Sequence, residues 1–146
     1  MLAFTKKTGY GLIALSYLAR LEAGRLASAR EIARRFGMPA PLLMNVMKEL
    51  SAAGYVSATR GAHGGYKLAR RPEDIDLQQV VSVLDGPIRL AECVQHHPEA
   101  EAGPCRLMDR CPIADPVHRV QRKLSDFLKA VTLAEIVEPV AAEAEG

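Results

Sequence analysis

The chain has no uninterrupted run of about 18 apolar residues, so no membrane-spanning helix is expected. Lys6 and Lys7 stand near the start, but polar residues interrupt every apolar stretch that follows. A secretory leader with a small-residue cleavage site is therefore not expected, and a cytoplasmic location is. Cysteine is scarce and odd in number. Three residues make a poor disulfide framework, which leaves thiolate ligands or sensor thiols as the better reading. Acidic residues are nearly missing from the first half. Residues 1–72 hold twelve Lys/Arg against Glu22, Glu31 and Glu49, a net +9, whereas residues 73–146 hold seven against fourteen Asp/Glu, a net −7. A basic half joined to an acidic half suggests one part that meets a polyanion and one part kept off it. Internal repeats are absent as well.

What is present reads as mostly helical protein. Leu12, Leu15, Tyr17, Leu18 and Leu21 recur at three- and four-residue spacing, predicting a first helix from Thr5 to Leu21, with Gly24 beyond its end. Ser28-Ala-Arg-Glu31 is a capping box that opens a second helix, which Gly37 terminates after Phe36. Pro41 suits a first helical position, and a third helix is expected from there to Ala53, with Leu43, Val46, Met47 and Leu50 inward. Two short helices joined by a glycine-containing turn form a helix-turn-helix.

Tyr55 to Thr59 and Tyr66 to Leu68 are rich in strand formers, and Arg60-Gly-Ala-His-Gly-Gly65 between them permits a tight excursion. A helix-turn-helix followed at once by a glycine-tipped basic hairpin predicts a winged helix. Asp76 is placed to cap a fourth helix, Leu77 to Leu84. Asp115-Pro116 reads as N-cap and first residue of a long amphipathic helix, because the residue before a proline avoids the αR region. Val117, Val120, Leu124, Phe127, Leu128 and Val131 form its apolar stripe, which suits either dimerisation or packing on its own domain. Thr132-Leu-Ala-Glu135 opens a short last helix, and an acidic tail follows from Pro139. The fold class expected is a winged helix-turn-helix, residues 1–72, followed by a loop and long dimerisation helix, residues 73–146.

Between the fourth and fifth helices lies Cys93 to Cys111, a polar stretch that contains every cysteine of the chain and His96 and His97. So little apolar area cannot offset the ordering entropy of the segment, so something other than packing should hold it. Three thiols point to a metal centre.

The chain resembles the bacterial winged-helix regulators that include the iron–sulfur regulator IscR and the nitric-oxide sensor NsrR. The resemblance rests on Tyr10-Gly-Leu, Ala53-Gly-Tyr-Val-Ser57, Arg60-Gly61 and Gly64-Gly-Tyr66, on the three cysteines, and on the stretch from Phe127 to Ile136. It covers nearly the whole sequence. It implies a homodimer binding a palindromic operator in double-stranded DNA, with a [2Fe–2S] or [4Fe–4S] cluster in the loop before the long helix.

Five residues separate Cys105 from Cys111, as in the family pattern, whereas eleven separate Cys93 from Cys105, a longer gap than in cluster-binding relatives. Three thiolates need a fourth ligand. Ala114 and Gly9 stand where relatives place a histidine or a partner's acid, so Asp115, His118 or the pair His96 and His97 are the alternatives. His118 is seven residues from Cys111, roughly 10 Å along a continuous helix, and it comes within reach if the helix begins only at Pro116. The metal candidates are therefore Cys93, Cys105, Cys111 and His118.

The candidate DNA contacts are Ser28, Pro41, Leu42, Met44, Asn45, Lys48, Arg60, His63 and Lys67. Asn45 can pair bidentately with adenine, Lys48 suits phosphate, and Arg60 at the base of the wing is the leading contact. The reading expected is a transcriptional regulator, not an enzyme, whose cluster state sets operator affinity. Zinc or directly oxidised thiols in the same fold are the alternative. An electron-carrying protein and a cluster-free relative using the loop for a protein partner are further classes, the first disfavoured by the wing and the basic half.

Overall fold

Local capping decides where most of these helices start. The computed structural model describes residues 3–91, 94, 105–107 and 109–138. Helix α1 (Lys6–Ala19) begins after Thr5, whose side chain accepts from the Thr8 N–H, and α2 (Ala29–Phe36) begins after Ser28, whose Oγ accepts from the Glu31 N–H at 3.0 Å. Each cap satisfies a backbone donor that the first helical turn leaves without a partner. Gly37 ends α2 in the left-handed conformation at φ 68°, turning the chain into α3 (Ala40–Ala52).

The hairpin pairs β1 (Val56–Thr59) with β2 (Gly65–Leu68) in antiparallel register, Val56 opposite Leu68 and Thr59 opposite Gly65. Ala27, just before α2, adds two further backbone hydrogen bonds to Tyr66. A 3-10 turn (Pro72–Asp74) leads to α4 (Leu77–Asp85), where Asp76 and Gln79 form a reciprocal capping box. Helices α5 (Ala114–Ala130) and α6 (Leu133–Val137) complete the described elements.

The core gathers Leu15 and Leu18 of α1, Ile32 of α2, Leu43, Val46, Met47 and Leu50 of α3, and Val56 of β1. Ile75, Val80 and Leu84 join from the α4 side, and Leu133 from α6. The Leu77 N–H donates to Val131 O and the Leu133 N–H to Ile75 O, so the chain after α5 is stitched back beside the start of α4. Burying a side chain of this size contributes about 1.5–3 kcal/mol, so the α1–α4 packing dominates the stability. The result is the expected mostly helical winged fold.

Two starts differ from expectation. Pro39 is the N-cap of α3, so Pro41 falls in the second helical position; its missing N–H costs nothing because no first-turn N–H has a helical partner. For the same reason α5 begins at Ala114, with Ile113 as N-cap and the Val117 N–H donating to Ile113 O, not at Pro116 after an Asp115 cap. The bias against αR before proline is overridden inside that first turn. The acidic tail from Pro139 lies outside the described residues.

Candidate nucleic-acid interface and thiol segment

The start of α2, the outer face of α3 and the hairpin enclose an open groove of about 770 Å³, lined among others by Ser28, Arg30, Met44, Lys48 and Arg60. The groove exists because α3 buries Leu43, Val46, Met47 and Leu50 and so turns Pro41, Met44, Asn45 and Lys48 outward. The hairpin can fold down beside that face because Gly64 passes against the backbone of Thr59 and Arg60, where a Cβ would collide with Thr59 O. Gly65 packs closely on Ala27 as well, with a Cβ position 2.8 Å from that residue's carbonyl carbon.

Four of the expected DNA contacts, Ser28, Met44, Lys48 and Arg60, therefore line one groove. Pro41 and Asn45 are exposed on the same helix, Leu42 is half-buried, and His63 and Lys67 are exposed on the wing outside the groove lining. Arg30 lines the groove too and was missed in the sequence; its signal is a basic residue inside the first turn directly after the Ser28 cap. Among the described residues Arg30, Lys48, Arg60 and Lys67 form no ion pair, whereas Lys7, Arg25 and Arg71 do. Unpaired cations around a capped helix N-terminus are suited to phosphate oxygens.

On the other side, Asp85 at the end of α4 accepts hydrogen bonds from Thr5 N–H, from Thr5 Oγ1 at 2.6 Å and from Thr8 Oγ1. Burial pushes this carboxyl up, but the donors on Thr5 and Thr8 and the charge of Lys7 outweigh it and hold it below the ordinary carboxylate value. The chain leaving α4 is then tied to α5, because the Gln121 side-chain amide donates to Ile88 O at 2.7 Å and accepts from Leu90 N–H at 2.9 Å. Val81, Ile88, Leu124, Phe127 and Phe4 line a second, apolar groove of about 550 Å³ beside this link.

Cys105 and Cys111 are half-buried free thiols in the turns leading to α5, and the Ala114 N–H donates to Cys111 O. Cys93, His96 and His97 lie outside the described residues. His118 is half-buried one turn inside α5, since that helix starts at Ala114. Among the described residues no three His, Cys, Asp or Glu side chains come together as a metal site.

Residues 4–139 match the Rrf2 family, described as an iron-dependent transcriptional regulator. The chain belongs to the Rrf2 family. Among solved Rrf2-like structures, CymR, the global cysteine regulator of B. subtilis, shares 28% identity at a TM-score of 0.71, covering 94% of this chain and 97% of that one. IscR of T. potens shares 28% at 0.69, covering 99% and 94%. CymR of Staphylococcus aureus shares 25% at 0.68, covering 93% and 98%. The family resemblance read from the motifs thus holds, and this Rrf2 protein is a transcriptional regulator with a DNA-binding winged helix. No described helix is long and apolar enough to cross a membrane.

Proposed function

We propose that this Rrf2 protein is a cytoplasmic homodimer whose affinity for a palindromic operator is set by an iron–sulfur cluster, with Cys93, Cys105 and Cys111 as its thiolate ligands. The observation that carries the reading is the position of Cys105 and Cys111. Both are half-buried and unbonded, in a stretch that places no side chain in the core among the described residues, and Cys111 runs into the first turn of α5. Their donor chemistry fits an iron–sulfur group, and the positive end of the α5 dipole beside Cys111 suits an anionic centre. His96 or His97 would supply the fourth ligand, because α5 already begins at Ala114 and the condition that would bring His118 to the same centre, a start at Pro116, is not met. When bound, such a group supplies a centre whose oxidation, nitrosylation or loss changes which thiols are held.

The chain's own residues carry that change outward. Gln121 fastens the segment after α4 to α5, and Asp85 fastens the end of α4 to the start of α1. Rearranging the ends of the thiol segment therefore acts on the helix that would join two protomers and on the helix that backs α3. On α5, Val120 is 54% and Phe127 is 64% exposed, an unpartnered apolar face that suits a second copy. A shift in how two protomers meet would alter the spacing of the two reading heads, which is the coupling a regulator needs.

A second reading, direct oxidation of the thiols without a metal, is favoured by the comparable likeness to CymR, a cysteine regulator, and to IscR. Purification without oxygen separates the two. Brown protein with iron and acid-labile sulfide in proportion, lost together in Cys105→Ser and Cys111→Ser, supports the cluster. Colourless, iron-free protein whose operator binding changes with a thiol oxidant supports the second reading and removes the first.

A further inference from the structure

The outer face of α3 is notable for what it carries at the centre of a basic groove. Over its first two turns no Arg, Gln or Glu points outward; the exposed side chains are Pro41, Met44 and Asn45, followed by Lys48. Met44 is 38% exposed and shares the groove lining with Arg30, Lys48 and Arg60. A thioether in that place cannot bind phosphate, and its apolar surface gains only if something apolar covers it. The cations around it identify the covering partner as nucleic acid, and the major groove of DNA offers one apolar group at a base edge, the C5 methyl of thymine.

We propose that Met44, with Pro41 beside it, selects thymine in each operator half-site by packing on the C5 methyl group, while Asn45 takes the N6 and N7 edge of adenine. The half-site under α3 is therefore built of A·T pairs. Pro41, Met44, Asn45 and Lys48 stand at spacings of three and four, so they lie along one face of the helix. One turn of rise, about 5.4 Å, carries the face past one to two base pairs. Pro41 and Met44 thus meet neighbouring pairs, and Lys48, one turn further on, reaches the backbone. The wing and the start of α2 flank this strip with charge and hold the register without reading sequence. The inference rests on operator recognition by this winged helix and goes beyond it by naming the base and the group read.

The test starts by selecting operators with the full-length protein from random double-stranded DNA. Each thymine of the selected half-site is then replaced by deoxyuridine, which removes only the methyl group. One or two positions should lose about three- to fourfold in affinity, the scale of uncovering one methyl-sized apolar group. Met44→Ala, an exposed substitution, should bind the thymine operator more weakly and become indifferent to deoxyuridine at those same positions, with an unchanged salt dependence. Operators without thymine under α3, or a Met44→Ala protein as sensitive to deoxyuridine as the parent, would overturn the inference while leaving operator recognition intact. Selection that yields no preferred sequence at all would remove operator recognition, and this inference with it.

Discussion

From α1 to α4 every helix buries at least three residues, whereas the seventeen residues of α5 bury only Leu128. Both regions are helical and both are apolar on one side, yet only one of them has its apolar side covered. The reading head is shaped by its own packing, so the distance from α3 to the wing is a property of the monomer. The arm is not. Leu128 and the half-buried Leu124 dock α5 on α4, while Val120 and Phe127 of the same stripe face outward. The stripe is thus divided between a half that packs on its own domain and a half left exposed, so the two roles considered for it are not exclusive. A rigid reader joined to an arm that is only partly satisfied is the arrangement in which a change at the arm can reposition the reader without unfolding it.

The sharpest way to break this contrast is to damage the head. Leu43 is fully buried in α3, between the reading face and the core. Leu43→Ala should cost about 2–5 kcal/mol of unfolding free energy in urea titration, by lost transfer energy and a residual cavity. A loss below about 1 kcal/mol would mean that the head is no better packed than the arm.

A smaller effect is expected at the end of the head from which the chain leaves for the arm. Thr8 is fully buried and donates to Asp85, so Thr8→Val removes that donor and should cost about 1 kcal/mol near neutral pH. Asp85 is itself exposed, which keeps the figure at the low end. Its folded pKa is depressed, so its contribution is present above the ordinary carboxylate value of about 4 and is lost as pH falls through the lower folded value. The difference between parent and Thr8→Val should therefore shrink under acid. A difference that stays constant from neutral pH to strong acid would assign the effect to packing instead of to the carboxylate.

Arg60→Ala tests the head's surface without touching its packing, because Arg60 is exposed and unpaired among the described residues. Operator affinity should fall about tenfold, and the slope of log K against log salt should drop by about one if Arg60 contacts a phosphate. A tenfold loss with an unchanged slope would make the contact one to a base edge. Unaltered affinity at every salt concentration would take the wing out of DNA recognition.

The parts of this architecture that were legible in the sequence are those fixed within one turn of chain. Ser28, Gly37, Asp76 and Thr132 each act on a backbone group three or four residues away, so the sequence itself carries both partners. The hairpin was legible for the same reason, its glycines lying inside the turn they permit. Pro116 was misleading because a proline marks a helix start only to within a turn. The links that matter most to the arm were invisible. Thr8 and Asp85 are 77 positions apart and Gln121 and Ile88 are 33 apart, and neither pair leaves a local pattern. Arg30 was overlooked because a charge on a short helix acquires a role only when α3 and the wing are folded beside it. The three cysteines were plain in sequence, but spacing identifies donors and not their company.

The smallest effect on stability should come from the arm, and it is the most diagnostic of all. Phe127 is 64% exposed and lines the apolar groove beside α4, so Phe127→Ser removes little that a monomer buries. Its unfolding free energy in dilute solution should change by less than about 0.5 kcal/mol, the scale of an exposed substitution. Self-association should respond very differently. If Phe127 is covered by a second copy, sedimentation of the variant should shift toward monomer at concentrations where the parent is dimeric. The parent's melting temperature should rise with concentration while that of the variant does not, because association stabilises only the folded state. A variant that stays dimeric and melts like the parent would mean that the outward half of the α5 stripe meets something other than a second copy, leaving the coupling from thiol segment to reading head to run through α4 and Asp85 alone.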